Sequence, residues 1–432
     1  MFKKIKKIIS KIDLFFYKKF GSEKSLKCLE NIKEAEIIFS YLNESKSEMN
    51  VRFVGGCVRK ALSGEKVDDI DLATSLTPQE VKKKLSTKNI KVIDTGIEHG
   101  TVTAILNDKK FEITTLRKDI STDGRHANVE FTLNWKDDSA RRDFTINAIY
   151  ADIDGRILDP QNGVSDLQNG IVKFIGSPEK RIKEDYLRIL RYFRFFAHYS
   201  KHKHDKETIL SIKKNINGIN KISKERIFNE LKKILSLKNI HNLFFQEESK
   251  KVILSIFPQF KFYKRLNNFN LLKKELKDLY DYKIILALLI IDNTDNHDFF
   301  CYKYKASNKI KDKFKNLSSN FENLNDKNFF LEKNIKKLIY FYGKNNTLDL
   351  VLFSILVGEN LEILSVKKLI NYVNVCKVPK FPISGEHLKK YGYESGEILG
   401  SKLKSLEKKW IENDFSIDEK IILNSLNKNK KN

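Results

Sequence analysis

Val54-Gly55-Gly56-Cys57-Val58-Arg59 and, a few residues on, Asp68-Asp69-Ile70-Asp71-Leu72 decide how this chain is read. The apolar run Val51–Val54 ends at two adjacent glycines, so a strand is expected to turn tightly into a helix there. Adjacent glycines let backbone amides approach an anion closely, and Arg59 offers a fork of donors to a phosphate. In the second segment the period of a strand puts Asp69 and Asp71 on one face and Ile70 and Leu72 on the other. Two carboxylates side by side repel each other unless a cation lies between them, which makes the pair a natural ligand set for Mg²⁺. Taken singly, each fragment reads better as an ordinary turn.

A third carboxylate follows in Phe111-Glu112-Ile113-Thr114-Thr115-Leu116-Arg117. Phe111 and Ile113 alternate with Glu112 and Thr114, so Glu112 belongs to the polar face of its strand. If that strand lies beside the first, three carboxylates converge on two metal ions. One ion would activate a 3′-hydroxyl and the other would bridge a triphosphate and its leaving group, which is the chemistry of nucleotide transfer.

Around these segments, residues 50 to 175 carry short β-like runs: Val51–Val54, Thr101–Leu106, Phe111–Leu116, Val129–Thr132 and Ile171–Ile175. From Ser177-Pro178-Glu179 onward the pattern is helical, with apolar and Arg residues at helical spacing in Tyr186–Tyr199 and again in Ser223–Leu235. The chain has 432 residues, 41% of them apolar, which excludes wholesale disorder. No stretch approaches the ~20 apolar residues of a membrane span. The 81 Lys and Arg against 56 Asp and Glu leave a net charge of +25 and favour a polyanionic partner, nucleic acid first. Four scattered cysteines, Cys28, Cys57, Cys301 and Cys376, fit no disulfide framework or zinc knuckle, and their thiols imply a reducing, cytoplasmic setting. Near the N-terminus, Phe2, Ile5, Ile9, Ile12 and Phe16 have the spacing of a basic amphipathic helix.

The region from Val51 to about Leu235 resembles the class II tRNA nucleotidyltransferases, the CCA-adding enzymes, with their bacterial poly(A) polymerase relatives. The matching motifs are Gly55-Gly56-x-Val58-Arg59, Asp69-Ile70-Asp71, Arg141-Arg142-Asp143-Phe144-Thr145-Ile146-Asn147-Ala148, Asp159…Gly163…Asp166-Leu167, Glu184-Asp185-Tyr186-Leu187-Arg188 and Ser223-x-Glu225-Arg226. Gly385-Glu386-His387-Leu388 to Gly400 resembles the tail of the same family, and Lys60 departs from the Asp often found there. The resemblance implies an α+β fold, a small mixed β-sheet head of the polymerase-beta-like kind followed by an all-helical neck, body and tail. Residues 1–48 would form a helical extension, 49–178 the catalytic head, 179–238 the neck, 239–375 the body and 376–432 a tRNA-binding tail with a disordered end. The implied reaction adds C, C and A to tRNA 3′ ends from CTP and ATP with two Mg²⁺ ions. Poly(A) polymerase, a partial CC- or A-adding enzyme, and a non-catalytic RNA-binding protein stand as alternatives.

Asp185 and Arg188 are three apart in a segment read as one helix and so would share a face. Cytosine and adenine both set an exocyclic amino donor beside a ring-nitrogen acceptor; uracil and guanine present the opposite order. A carboxylate that only accepts, beside a guanidinium that only donates, fits C and A. By resemblance, Asp143 and Asn147 contact the sugar, and Arg142 reaches the phosphates or the base. Arg191 and Arg194 continue the basic face from Arg188, either at the acceptor end or as solvated surface. The turn-rich segment Asp119–Asn128 resembles the loop that helps CCA-adding relatives switch from C to A; taken locally, it also reads as a plain hairpin connection between two strands. His202, His204 and Asp205 read as a solvated loop, since no second cluster accompanies them to hold a metal.

Overall fold

The computed structural model describes residues 17–18, 26–43, 49–123, 126–326, 328–357 and 363–416. Its chain falls into two compact units, Met1–Pro258 and Gln259–Asn432. The expected amphipathic helix over residues 2–16 and the expected disorder at 427–432 both lie outside the described residues.

The described residues of the first unit include ten strands: β1 (Tyr17–Lys18), β2 (Val51–Val54), β3 (Ile70–Thr74), β4 (Lys91–Gly96), β5 (Thr101–Leu106), β6 (Lys109–Thr115), β7 (Arg117–Asp123), β8 (His126–Phe131), β9 (Tyr150–Ala151) and β10 (Ile157–Leu158). Eight of them form one sheet in the order β1-β10-β9-β2-β3-β6-β5-β4, and β7 and β8 form a separate ribbon. Among these neighbours only β3 and β6 run parallel. A parallel pair needs a crossover connection, which the helix Pro78–Ser86 and the hairpin β4–β5 supply. That helix starts on a capping box in which Thr77 N–H donates to Glu80 at 2.8 Å and Glu80 N–H donates to Thr77 Oγ1 at 3.3 Å.

One face of the sheet carries the larger core. Phe53, Ile70, Leu72, Phe111 and Ile113 pack there with Ile38, Phe39, Val58, Ala61, Val81 and Leu85 from three helices. On the other face a smaller cluster joins Val54, Ala73, Leu116, Trp135, Tyr150 and Leu158. Every residue of β2 is therefore buried, whereas Asp71 and Glu112 interrupt the apolar runs of β3 and β6 on the second face.

Three sequence expectations are corrected. Tyr17–Lys18, inside the expected helical extension, is a strand paired with Leu158 and Ile157. Ile171–Ile175 forms no strand: it makes a single bridge from Phe174 to Phe144, because its neighbour is an irregular turn that offers no ladder. The Phe144 and Phe174 rings pack at 4.6 Å in its place. Asp119–Asn128 is mostly ladder, with Asp123 paired to His126, and only its tip 124–125 lies outside the described residues.

Helices occupy the segments read as helical, Pro178–Glu184 behind Ser177, Leu187–Tyr199, and Lys224–Leu235 behind its cap Ser223, with a further helix at Lys206–Asn215. Two short helices assigned above to the body, Asn242–Phe245 and Glu247–Ile256, belong to the first unit, where Ser249 hydrogen-bonds His204.

The described part of the second unit is helical. The apolar run Ile284–Ile290 is a core helix buried on every side, and among the described residues no helix is long and apolar enough to cross a membrane. The long helix Glu332–Val357 breaks at Gly343, whose φ of 80° suits glycine. In the tail, Leu388 and Leu406 join Phe381, Ile383 and Leu403 in a small core of their own.

Candidate active site

The parallel register sets Asp71 directly against Glu112. Neither carboxylate, nor that of Asp69, makes a hydrogen bond or ion pair among the described residues. Burial and the Glu112 charge, opposed by Arg142 and reinforced by Asp69, push the Asp71 carboxyl up to about 6. This is what crowded, uncompensated carboxylates do, and a cation would relieve it. Asp69 precedes β3 and is exposed. Contrary to the expected convergence of three carboxylates, no three His, Cys, Asp or Glu among the described residues stand together closely enough to hold an ion. Asp71 and Glu112 nevertheless suit Mg²⁺, which takes one or two carboxylates and completes its shell with water and substrate phosphate.

The glycine turn stands against this pair. Gly55 has φ +69°, a Cβ on it would come 3.6 Å from Arg142 Nη1, and one on Gly56 would come 3.8 Å from Asp71 Oδ2. The Cys57 thiol donates to the carbonyls of Val54 at 3.3 Å and Asp71 at 3.5 Å, tying the turn to β3. Lys60, the departure from the family pattern, faces Asp68 at 3.4 Å.

Arg59 is buried rather than held out to solvent. Its Nη1 donates to Asn147 Oδ1, its Nε donates to Tyr199 OH at 3.1 Å, and its guanidinium lies 4.7 Å from the Phe195 ring centre. Asn147 in turn donates to Asp143 Oδ1 at 2.8 Å, an oxygen that also accepts from Phe144 N–H. The other Asp143 oxygen accepts from Arg191 Nε at 2.7 Å. Burial would raise the Asp143 carboxyl, but Arg191, Asn147 and Arg188 hold it well below the usual range. Arg194 pairs with the buried Glu230. Both arginines are held in ion pairs, Arg191 with 31% of its side chain still exposed and Arg194 with 16%.

Asp185 and Arg188 do not share a helix. Asp185 sits in extended backbone (φ −154°, ψ 106°) between the helices Pro178–Glu184 and Leu187–Tyr199. Its Oδ1 accepts from Leu187 N–H at 3.1 Å and its Oδ2 from Arg226 Nη2 at 2.7 Å. The break exists because one aspartate both starts the next helix and anchors Arg226. Arg188 Nη1 donates to Arg181 O at 2.9 Å and to Glu184.

Two residues escaped the sequence reading. Asp138 is a buried carboxylate shared by Arg141, Arg142 and Tyr150, and its spacing of three and four from the arginines was the available signal. Arg226, from the Ser223-x-Glu225-Arg226 motif, is the anchor of Asp185. A third residue was misjudged: His204 stacks on Phe196 at 3.7 Å and meets Tyr192 OH at 3.0 Å, so it is packed, not solvated. The Asp159…Gly163…Asp166 motif is a joint. Asp159 accepts from Gly163 and Val164 N–H at 2.8 and 2.9 Å, and Thr145 donates to Asp166 at 2.6 Å.

A carboxylate pair on adjacent strands beside a glycine turn, with Arg142 next to that turn, is an arrangement suited to nucleotidyl transfer. Residues 51–173 match the family described as the poly A polymerase head domain, and residues 203–264 match the probable RNA and SrmB-binding site of polymerase A. The chain is 35% identical over 399 residues to the mitochondrial CCA tRNA nucleotidyltransferase 1 of Mus musculus, covering 89% of this chain and 88% of that one. It is 31% identical over 368 residues to the CCA-adding enzyme of Lactobacillus helveticus, covering 82% and 87%. In fold it is similar to the Bacillus stearothermophilus CCA-adding enzyme in complex with CTP, at a TM-score of 0.72 and 22% identity over 92% of this chain and 97% of that one. The chain belongs to the CCA tRNA nucleotidyltransferase family.

Proposed function

We propose that this protein adds C, C and A to the 3′ ends of tRNA, taking CTP and ATP and releasing diphosphate. The observation that carries it is the register of Asp71 against Glu112, both unpartnered, beside the Gly55-Gly56 turn. Asp71 and Glu112, in register, would hold Mg²⁺, and Asp69, exposed just before β3, would be drawn in as the ion binds, with two ions in all; when bound, the metal supplies charge neutralisation at the triphosphate and acidifies the attacking hydroxyl. Asp185 and Arg188 select the base. Asn147 and Asp143 line the sugar side, with Arg59 and Arg191 holding them in place. Arg142 faces the phosphates. The basic helical body and tail receive the tRNA. A cytoplasmic location completes the reading, with four free thiols among the described residues in its favour; the mouse relative is named mitochondrial, and cell fractionation decides between the two compartments.

The test is one gel. tRNA lacking its terminal nucleotides is incubated with single labelled nucleotides and with CTP plus ATP. Addition of two C and then one A, and no more, supports the reading; a poly(A) ladder or a stop after CC replaces it with the corresponding alternative. Asp71→Asn should lose at least about a thousandfold in rate while tRNA binding holds. A loss within about tenfold at saturating Mg²⁺ would overturn the assignment of Asp71.

A further inference from the structure

Arg141 and Arg142 are adjacent in sequence, and the structure gives them a common anchor. The helix Trp135–Ala140 carries Asp138, whose side chain is 1% exposed. Oδ1 accepts from Arg141 Nε at 2.9 Å. Oδ2 accepts from Arg142 Nε at 3.2 Å, from Arg142 Nη2 at 3.0 Å and from the Tyr150 hydroxyl at 2.7 Å. The Tyr150 oxygen accepts a further bond from Arg142 Nε at 3.1 Å, and its ring centre lies 5.2 Å from the guanidinium. Two of the three Arg142 nitrogens are thus fastened from one side. The third, Nη1, makes no hydrogen bond among the described residues and lies 3.6 Å from where a Cβ on Gly55 would stand, as close as the Asn147 carbonyl oxygen.

Burial alone would raise the Asp138 carboxyl, but the Arg142 and Arg141 charges and the Tyr150 hydroxyl hold it far below the usual range, so the clamp is ionised. A planar guanidinium gripped on one edge presents the other edge in a fixed direction. A donor held that way needs no ordering when an anion arrives.

We propose that Asp138 is a positioning residue for nucleotidyl transfer: with Tyr150 it fixes Arg142 so that Nη1 stands over the Gly55-Gly56 turn as a ready-made donor to the polyphosphate of the incoming nucleotide. The proposal rests on the nucleotidyltransferase reading above and adds to it a part for the second carboxylate of the region, one that touches no substrate.

The experiment is equilibrium binding of CTP and of CMP to the full chain without tRNA, for wild type, Asp138→Asn, Arg142→Ala, the double variant and Tyr150→Phe. Asp138→Asn keeps the shape and removes the charge. It should weaken CTP binding by about tenfold or more while changing CMP by less than about twofold. The double variant should be no weaker than Arg142→Ala alone, because the carboxylate acts through that arginine. Tyr150→Phe should move the CTP-to-CMP ratio the same way by a smaller factor. Equal loss of CTP and CMP, an unchanged ratio, or additive losses in the double variant would each overturn the proposal. If Asp138→Asn fails to fold by circular dichroism, Tyr150→Phe decides, and an unchanged ratio there overturns it. A wild-type chain that binds no CTP and transfers no nucleotide would instead remove the underlying reading.

Discussion

At the scale of single residues, the proposed base-selecting pair is held by neighbours rather than by itself. Asp185 is anchored by Arg226 and Arg188 by Glu184. Arg188→Ala would leave a buried acceptor unpaired at ~1–3 kcal/mol, or one to two powers of ten in the preference for CTP over UTP. The check is the ratio of kcat/KM for the two nucleotides on one tRNA; an unchanged ratio would mean that the base is read elsewhere. A second residue sets a pH dependence. Burial, only partly opposed by Glu248, pushes His204 from its ordinary 6.5 down to about 4. Between those values the unfolded chain binds a proton that the folded chain refuses, so stability is full above about pH 6.5 and declines as pH falls toward 4. Urea midpoints at about pH 7 and about pH 5 should therefore differ less in His204→Phe than in wild type, and equal differences would refute this role.

At the scale of elements, Gly163 shows how a motif residue remote from the chemistry still shapes it. A Cβ at Gly163 would stand 2.0 Å from the carbonyl oxygen of Thr145, a backbone atom with no freedom to swing away. The turn so approached, Thr145–Asn147, carries the amide that links Arg59 to Asp143. Gly163→Ala should cost about 1–3 kcal/mol and also lower the rate, because the turn must shift. A thermal melt paired with the transfer assay tests both, and a stable, fully active variant would show that the joint is loose. Some elements were legible in the sequence and some were not. The polar faces of β3 and β6 follow from strand alternation, and so the carboxylate pair was readable before any fold was known. The helix break at Asp185 was not, since Glu184 to Arg188 has unbroken helical spacing and only the distant Arg226 reveals why the helix stops. Asp138 draws no attention in the sequence, because its importance lies in a burial that local spacing cannot express. The two-residue strand Tyr17–Lys18 exists only through its pairing with Leu158 and Ile157, far along the chain.

At the scale of the whole molecule, the net charge of +25 is the one property that belongs to no single site. If the helical surfaces meet tRNA phosphates, the logarithm of affinity should fall linearly with the logarithm of salt, each neutralised phosphate adding roughly one unit of slope. A flat response between low and physiological salt would mean that the excess lysine is compositional and not a binding surface. The parallel pairing of β3 with β6 has its own consequence for how the molecule comes into being. The chain must travel through a helix and a complete hairpin before Glu112 can reach Asp71, so the reactive pair is a non-local contact that hairpin closure cannot form alone. Such contacts bear the full entropy of loop closure before they return any stabilisation. A nascent chain therefore owns its glycine turn and its first aspartates long before it owns a catalyst, and reactivity arrives in one step, with the closing of the sheet.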